Sequence, residues 1–230
     1  MICGVFGLPG TGKTLLASWL CARAVGGKSI NVHGFKCGAF DKKYQRVYTN
    51  FPAVGAYKLD FETLGYCEYK NCLMICDELQ IFADSRNFKT FGDNLKEFFS
   101  EHRKDCIDFI WLTQSPDMAD KRIRSLTDRL YYLDRRFNNI IRVREIITDF
   151  SVEKCGMQYY YASGINSHYF YAPALYKYCD TNYKICPRPL KAAPSLMWGT
   201  PSPAPRVGTF AAPSGEIIEQ YTDGLYYQDK

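Results

Sequence analysis

Apolar and polar positions alternate along the first 150 residues between short apolar runs and longer stretches with helical spacing. Short runs are typical of strands buried on both faces of a parallel sheet, and the longer stretches are typical of crossover helices. The predicted strands are 2–6, 47–51, 72–76, 107–112, 130–133 and 140–147, and the predicted helices begin at Leu15 and span 93–104 and 117–130. We therefore expect an α/β fold, a three-layer sandwich around a mostly parallel sheet.

The last third of the chain has a different character. Residues 157–183 are rich in tyrosine, and 187–213 contain seven of the eleven prolines. The pattern predicts a core over 1–150, a small tyrosine-rich β appendage completing the domain over 151–186, and a flexible Pro-rich linker and tail over 187–230. The segment from Glu216 onward is a candidate docking peptide. For the tyrosines we favour rings packed in the appendage, and a stacking surface for nucleic acid is the alternative.

Composition and net charge exclude only a few classes of function. A net charge of +5 permits binding to nucleic acid or to an anionic membrane surface without requiring either. The ten cysteines include no C-x-x-C pair, and the three histidines are far apart, so we expect a reducing cytosol and no protein-bound transition metal. No run of eighteen apolar residues occurs, so the sequence predicts no transmembrane helix.

One motif carries most of the chemical information. Residues 7–14 match G-x-x-x-x-G-K-[ST], a phosphate-binding loop, between a predicted strand and a predicted helix. Backbone N–H groups of such a loop face phosphate oxygens, Lys13 reaches the β- and γ-phosphates, and the Thr14 hydroxyl binds Mg²⁺. The helix N-terminus adds partial positive charge. The predicted ATP contacts are Gly7, Leu8, Pro9, Gly10, Thr11, Gly12, Lys13, Thr14 and Leu15.

An acidic pair follows the strand 72–76. Asp77 stands at the carboxyl end of that strand, where ligands bind in open α/β sheets, and is predicted to hold Mg²⁺ together with Thr14. Glu78 is predicted to act as general base on the attacking water. The alternative interpretation is a helix N-cap with a solvated neighbour.

Two further elements complete the predicted site. Gln114 follows the strand 107–112 and is a candidate sensor of the γ-phosphate, or else a capping residue before Pro116. An arginine finger stabilises charge on the transferring phosphoryl group and is often supplied by a neighbouring subunit. Several arginines are eligible: Arg103, Arg122, Arg124 and Arg129.

Five segments together carry a family likeness: 7–14, Tyr48-Thr49-Asn50, 75–78, His102-Arg103, and 107–114, which enters the series Leu-Thr-Gln-Ser-Pro at Leu112. With the later Arg124, they resemble the zonular occludens toxin-like family, which comprises filamentous-phage assembly ATPases of the FtsK–HerA type of P-loop motor. The likeness extends over about residues 1–185. It makes Arg103 the first choice for the finger.

The resemblance implies a catalytic set of Lys13, Glu78, Gln114 and Arg103 in an ATPase that uses ATP and Mg²⁺. It implies a homo-oligomeric ring in the host cytoplasm, at the inner face of the cytoplasmic membrane, that exports single-stranded phage DNA during virion assembly. Family members usually have a transmembrane helix after the ATPase domain, where this chain has its Pro-rich segment. We therefore expect recruitment by a separate phage assembly or membrane protein. No toxin activity is implied.

Two other functions fit parts of the pattern. A P-loop kinase for a small molecule would share the loop, but it would not need a water-activating glutamate after the strand. A non-catalytic scaffold would bind nucleotide as a switch and use its Tyr- and Pro-rich end to hold a partner. Hydrolysis is favoured because Asp77 and Glu78 stand side by side.

Overall fold

A computed structural model of the chain describes residues 1–40, 42–83, 93–137, 139–146, 152–154, 157–159, 162–179, 208–211 and 217–220. The strands are β1 (Ile2–Phe6), β2 (Arg46–Thr49), β3 (Tyr57–Lys58), β4 (Cys72–Cys76), β5 (Asp108–Thr113), β6 (Arg129–Arg136), β7 (Ile140–Ile146), β8 (Val152–Lys154), β9 (Met157–Tyr159), β10 (Ala162–Tyr171), β11 (Gly208–Ala211) and β12 (Ile217–Gln220). The helices are α1 (Lys13–Val25), α2 (Asp93–Glu101) and α3 (Lys121–Ser125). Short 3₁₀ turns lie at Phe61–Thr63, Leu79–Ile81, Pro116–Met118 and Ala172–Tyr178.

An eight-stranded sheet with the order β10-β7-β6-β1-β5-β4-β2-β3 forms the centre of the fold. The strands from β6 to β3 in this order run parallel, and β7 and β10 extend the sheet in antiparallel pairing. The pairs β8–β9 and β11–β12 each form a separate two-stranded ladder. The predicted α/β fold with a mostly parallel sheet is confirmed.

Apolar side chains fill both faces of the sheet. On one face Leu16 and Leu20 of α1 pack with alternate residues of the central strands, such as Ile75 and Leu112. On the other face Phe99 of α2 and Ile123 of α3 pack with the intervening residues. Every residue of β4 and β5 is buried, because both faces of these strands are covered.

The parallel register brings three loops to one edge of the sheet. Phe6, the last residue of β1, is paired with Thr113 at the end of β5, and β4 lies on the other side of β5. The segments after β1, β4 and β5 therefore emerge side by side at the carboxyl edge. This edge carries the predicted phosphate loop, acidic pair and sensor.

The predicted helix over 117–130 is wrong. The chain forms a 3₁₀ turn at Pro116–Met118 and then only the short α3, whose N-cap Asp120 accepts a hydrogen bond from the backbone of Arg122. The chain then rejoins the sheet, since the Asp128 N–H bonds to the Ile2 carbonyl and β6 begins at Arg129. Arg129 and Leu130, for which apolar spacing alone predicts a helix, therefore pair with β1 as part of β6. The other predicted strands and helices are confirmed with shifts of at most three residues at their ends, except that Ile147 lies outside the described residues.

The last third of the chain is only partly described. Strand β10 pairs with β7, so part of the predicted appendage is an edge strand of the main sheet. The limits 1–150, 151–186 and 187–230 stay predictions. Apart from β11 and β12, the Pro-rich tail and the candidate docking peptide lie outside the described residues, as do Tyr160 and Tyr161. Within the described ranges, no helix is long and apolar enough to cross a membrane.

Candidate nucleotide site

The loop between β1 and α1 is shaped by its glycines. Gly12 has φ +89°, in the left-handed region, and a Cβ there would lie 2.2 Å from Cδ1 of Ile141. A Cβ on Gly7 would lie 2.4 Å from the Leu133 carbonyl oxygen. Both positions therefore exclude larger residues, and the loop is packed against the hairpin formed by β6 and β7.

Lys13 points back into the concave side of the loop. Its Nζ donates to the carbonyl oxygens of Gly7 at 2.8 Å and Leu8 at 3.2 Å. The side chain is buried, and burial lowers the pKa of its ammonium group, an effect that the carboxylates of Glu78 and Asp77 oppose. The ammonium is thus held inside the loop by the loop's own carbonyl oxygens.

Thr14 and Asp77 meet across the sheet edge. The Thr14 hydroxyl donates to Oδ2 of Asp77, and the backbone N–H of Glu78 donates to Oδ1 at 2.9 Å. Asp77 is 2% exposed. Burial raises the pKa of its carboxyl and Glu78 raises it further, whereas the bonds from Thr14 and the Glu78 backbone act in the opposite direction. The two oxygen ligands predicted for Mg²⁺ are therefore already in contact.

Asn50 fixes the position of Asp77 through the backbone. Its Nδ2 donates to the Asp77 carbonyl at 2.7 Å, and its Oδ1 accepts from the Asp77 N–H at 2.8 Å. Asn50 directly follows β2, which pairs with β4, so the two strand ends are neighbours. No role was predicted for Asn50 from the sequence. Its place after a strand, on the same edge as the acidic pair, is the signal that could have identified it.

Glu78 adopts a left-handed backbone conformation with φ +50° and ψ +49°. Such a conformation in a residue other than glycine costs about 1–3 kcal/mol, and residues with this strain cluster at functional sites. The Glu78 side chain accepts a hydrogen bond from Nε2 of Gln80, whose Oε1 accepts from the Thr113 hydroxyl at 2.9 Å. Glu78 is therefore linked through Gln80 to the end of β5, a connection that the sequence did not reveal.

The described structure gathers the phosphate loop, Asp77 and Glu78 at the carboxyl edge of the sheet, and we call these the Walker residues. Gln114 is exposed and directly follows Thr113, the β5 residue paired with Phe6 just before the loop. This places it between the segments that carry Lys13 and Glu78, and its role as a sensor stays a prediction.

Arg103 lies at the opposite edge of the sheet. Its Nη2 bonds to Oδ1 of Asp128 at 2.5 Å, and the other carboxylate oxygen accepts from the N–H of Ile2, the first residue of β1. Arg103 therefore does not join the Walker residues of its own chain.

The other three arginines are dispersed, with Arg122 and Arg124 in α3 and Arg129 at the start of β6. Arg124 pairs with Asp117, and Arg129 pairs with Glu145.

The residues at the carboxyl edge fit a nucleotide phosphate with its magnesium ion. The loop supplies backbone N–H groups and one ammonium group for anionic oxygens. Thr14 and Asp77 supply the hard oxygen ligands that Mg²⁺ prefers. Burial makes the ionised form of the Asp77 carboxyl unfavourable in the absence of a cation. A positive charge bound beside Thr14 and Asp77 would remove that cost, so these ligands favour a cation.

Comparisons with known proteins identify one matching family and several solved structures of limited similarity. The sequence model of the family described as zonular occludens toxin (Zot) matches residues 1–159. The crystal structure of the N-terminal domain of zonular occludens toxin from Neisseria meningitidis is similar at a TM-score of 0.44 and 20% identity, over 70% of this chain and 92% of that chain. The AAA domain of FIGL-1 in complex with ADP is similar at a TM-score of 0.35 and 14% identity, over 57% of this chain and 42% of that chain. No curated protein sequence matches.

The matched segment covers more than half of the chain and contains the candidate site residues from the loop through Asp77 and Glu78 to Gln114. The chain therefore belongs to the zonular occludens toxin (Zot) family.

Proposed function

We propose that this protein is an ATP-hydrolysing motor. The observation that carries the proposal is the contact between the Thr14 hydroxyl and the buried Asp77 carboxylate, beside the Lys13 ammonium inside its loop. This constellation is the one that a nucleoside triphosphate with Mg²⁺ requires. When bound, Mg²⁺ would supply Lewis-acid stabilisation of the charge that develops on the phosphate oxygens.

The chain's own residues divide the work of hydrolysis. Lys13 and the loop N–H groups bind and orient the phosphates, and Thr14 and Asp77 hold the metal. Glu78 takes a proton from the attacking water, while Gln80 keeps its carboxylate in place. Gln114 responds to the γ-phosphate from the end of β5.

Membership of the Zot family supports a more specific role. We propose that the motor drives export of single-stranded DNA during the assembly of a filamentous virion. It would act as a homo-oligomeric ring in the host cytoplasm, at the inner face of the cytoplasmic membrane, with a phage assembly or membrane protein as its recruiting partner.

Hydrolysis is tested by the steady-state ATPase rates of wild type, Lys13→Ala and Glu78→Gln. Both substitutions should lower the rate at least 100-fold, Lys13→Ala by loss of phosphate contacts and Glu78→Gln by loss of the base. Glu78→Gln should still bind ATP. The matched controls are Lys70→Ala and Glu68→Gln, since these residues form an exposed surface pair.

Unchanged rates in both site variants would show that the assignment is wrong. Tight ATP binding by wild type without turnover, at high protein concentration and with single-stranded DNA present, would favour the nucleotide switch instead.

A further inference from the structure

One face of the sheet next to the nucleotide site is rich in arginine and tyrosine. Cross-strand pairing places Tyr132, Asp134 and Arg136 of β6 opposite Arg144, Arg142 and Ile140 of β7, and places Arg142 and Ile140 opposite Tyr169 and Tyr171 of β10. Directly paired residues share a face. We call the set Asp134, Arg136, Arg142, Arg144, Tyr169 and Tyr171 the arginine–tyrosine face.

The two tyrosine rings of this face are open to solvent. Tyr169 is 52% exposed and Tyr171 is 58% exposed, whereas Phe170 between them is buried in the α1 side of the core. Residues two apart on a strand lie about 7 Å apart on the same face. The rings therefore form a short row along an edge strand, anchored from behind by Phe170.

Positive charge dominates this face. Asp134 is the shared partner of three arginines: two N–H groups of Arg142 bond to it, Nε of Arg136 lies 3.3 Å from its Oδ2, and Nη2 of Arg144 lies 3.8 Å from the same oxygen. One carboxylate thus stands against three guanidinium groups. The Arg144 guanidinium also lies 5.0 Å from the centre of the Tyr132 ring, which extends the alternation of rings and charges.

We propose that the arginine–tyrosine face binds single-stranded DNA, with bases stacked on Tyr169 and Tyr171 and phosphates against the exposed Arg136, beside the more covered Arg142 and Arg144. Exposed rings at regular spacing offer stacking partners for unpaired bases, and the excess of guanidinium groups complements a polyanion. The inference rests on the proposed function, since it gives the motor a surface for its substrate.

The position of the face also connects it to the nucleotide site. Leu133 and Ile141, on the opposite side of β6 and β7, contact the phosphate loop at Gly7 and Gly12. The hairpin that carries the arginines is therefore the one that supports the loop. DNA bound on one side of β6 and β7 and a nucleotide bound in the loop on their other side would therefore both act on these two strands.

The test measures binding of a fluorescein-labelled oligo(dT) by fluorescence anisotropy as a function of salt. The double variant Tyr169→Ala/Tyr171→Ala should weaken binding at least tenfold, because base–ring stacking contributes about 1–3 kcal/mol per base. The variant Tyr169→Phe/Tyr171→Phe keeps both rings and should bind like wild type. Arg136→Gln should weaken binding and reduce the slope of log K against log salt by about 0.7.

Controls separate this inference from the proposed function. Tyr66→Ala removes an exposed ring elsewhere and Lys70→Gln removes an exposed charge elsewhere, and both should bind DNA like wild type. The DNA-free ATPase rate should be unchanged in the tyrosine variants. If oligo(dT) binds equally well to the double alanine variant, the face is not the binding surface. If a duplex of equal length competes equally well, unpaired bases do not stack on the tyrosines. Either result overturns the inference, whatever the ATPase assays show. An altered oligomeric state in the double variant would instead identify the face as a subunit interface and also overturn the inference.

Discussion

At the scale of single residues, Asp77 is a carboxylic acid buried at the site where a metal ion would bind. Its carboxylate is 2% exposed, and burial raises its pKa. When folding raises the pKa of an acid, ionisation of that acid lowers the free energy of unfolding of the protein. This loss is present at pH values above the ordinary pKa of about 3.9 and disappears when the acid is protonated. The residue that prepares the metal site therefore destabilises the metal-free protein at neutral pH.

We expect Asp77→Asn to stabilise the metal-free protein at pH 7 by about 1 kcal/mol, or about 2–4 °C in Tm. The gain should shrink as the pH falls toward 4, since both proteins then carry a neutral side chain. Thermal unfolding between pH 4 and 8 measures both effects. Addition of Mg²⁺ and ATP should raise the Tm of wild type much more than that of the variant. A variant less stable than wild type at pH 7 would contradict this account of Asp77.

Gln80 is the second residue whose role is specific to this geometry. It contacts Glu78 and Thr113, and neither contact involves a residue of the phosphate loop. Its loss should therefore affect the chemical step and leave nucleotide binding intact. We expect Gln80→Ala to lower kcat about tenfold with KM for ATP nearly unchanged, which corresponds to one lost hydrogen bond.

A double-mutant cycle separates this role from a general structural one. Thr113→Val removes the other bond of Gln80, so the two substitutions should be clearly non-additive in kcat. Gln45→Ala, an exposed glutamine elsewhere, is the matched control. A rise in KM at constant kcat would show that Gln80 acts in binding rather than on Glu78.

At the scale of elements, β5 is anchored at one end and functional at the other. Asp108, its first residue, accepts hydrogen bonds from the Met1 amine at 2.7 Å, Lys42 Nζ at 2.8 Å and the Tyr44 hydroxyl at 2.8 Å. Burial alone would raise the pKa of Asp108, but Lys42 and the Met1 amine outweigh it and lower the pKa. The pairing fixes the amino end of the strand that carries Thr113 and Gln114 at its carboxyl end.

We expect Asp108→Asn to destabilise the protein by about 3 kcal/mol at pH 7, because it leaves buried donors with a weaker acceptor. A lowered pKa contributes stability above the ordinary aspartate value of about 3.9, and this is lost as the pH falls through the lowered pKa. The difference between wild type and variant should thus be constant from pH 8 to 5 and shrink below about 4. Urea unfolding at several pH values measures it, with Asp105→Asn as control. A difference that grows on acidification would refute the ion-pair explanation.

Elements differed in how well the sequence predicted them. The fully apolar run of β4 and the loop motif ahead of α1 are local signals, and both were predicted correctly. The segment 117–130 was not, because its outcome depends on pairing of β6 with β1, which are far apart in the chain. The same holds for the contacts of Asn50 and Gln80: each side chain is polar and near a strand end, but its partner is set by the order of strands in the sheet.

At the scale of the whole molecule, the carboxyl and amino edges of the sheet carry different residues of the proposed catalytic site. The Walker residues lie at the carboxyl edge, and Arg103 lies at the amino edge with its side chain 70% exposed. A finger at this position could reach only the nucleotide of another subunit. The proposed finger role of Arg103 therefore requires a site shared between subunits of an oligomer, which is how an arginine finger is often supplied.

Mixing two inactive variants tests this arrangement. Arg103→Ala alone should lower ATPase activity by about 1000-fold, because the finger stabilises charge on the transferring phosphoryl group. In a mixture with Lys13→Ala, an Arg103→Ala subunit keeps an intact loop and can receive Arg103 from a Lys13→Ala neighbour. Random assembly of equal amounts should restore about a quarter of the wild-type rate per subunit, since that share of interfaces joins an intact loop to an intact finger.

The control mixture replaces Arg103→Ala by the double variant Lys13→Ala/Arg103→Ala. It contains no intact loop and should stay inactive, which excludes a general effect of added protein. Activity should rise only after the variants exchange subunits, so denatured and co-refolded mixtures should recover at least as much as simple mixtures. If Arg103→Ala is inactive and the mixtures show no recovery, Arg103 does not act across an interface. Its bond to Asp128, which accepts from the N–H of Ile2 at the start of β1, would then explain the loss through the fold, with a lower Tm as the expected sign.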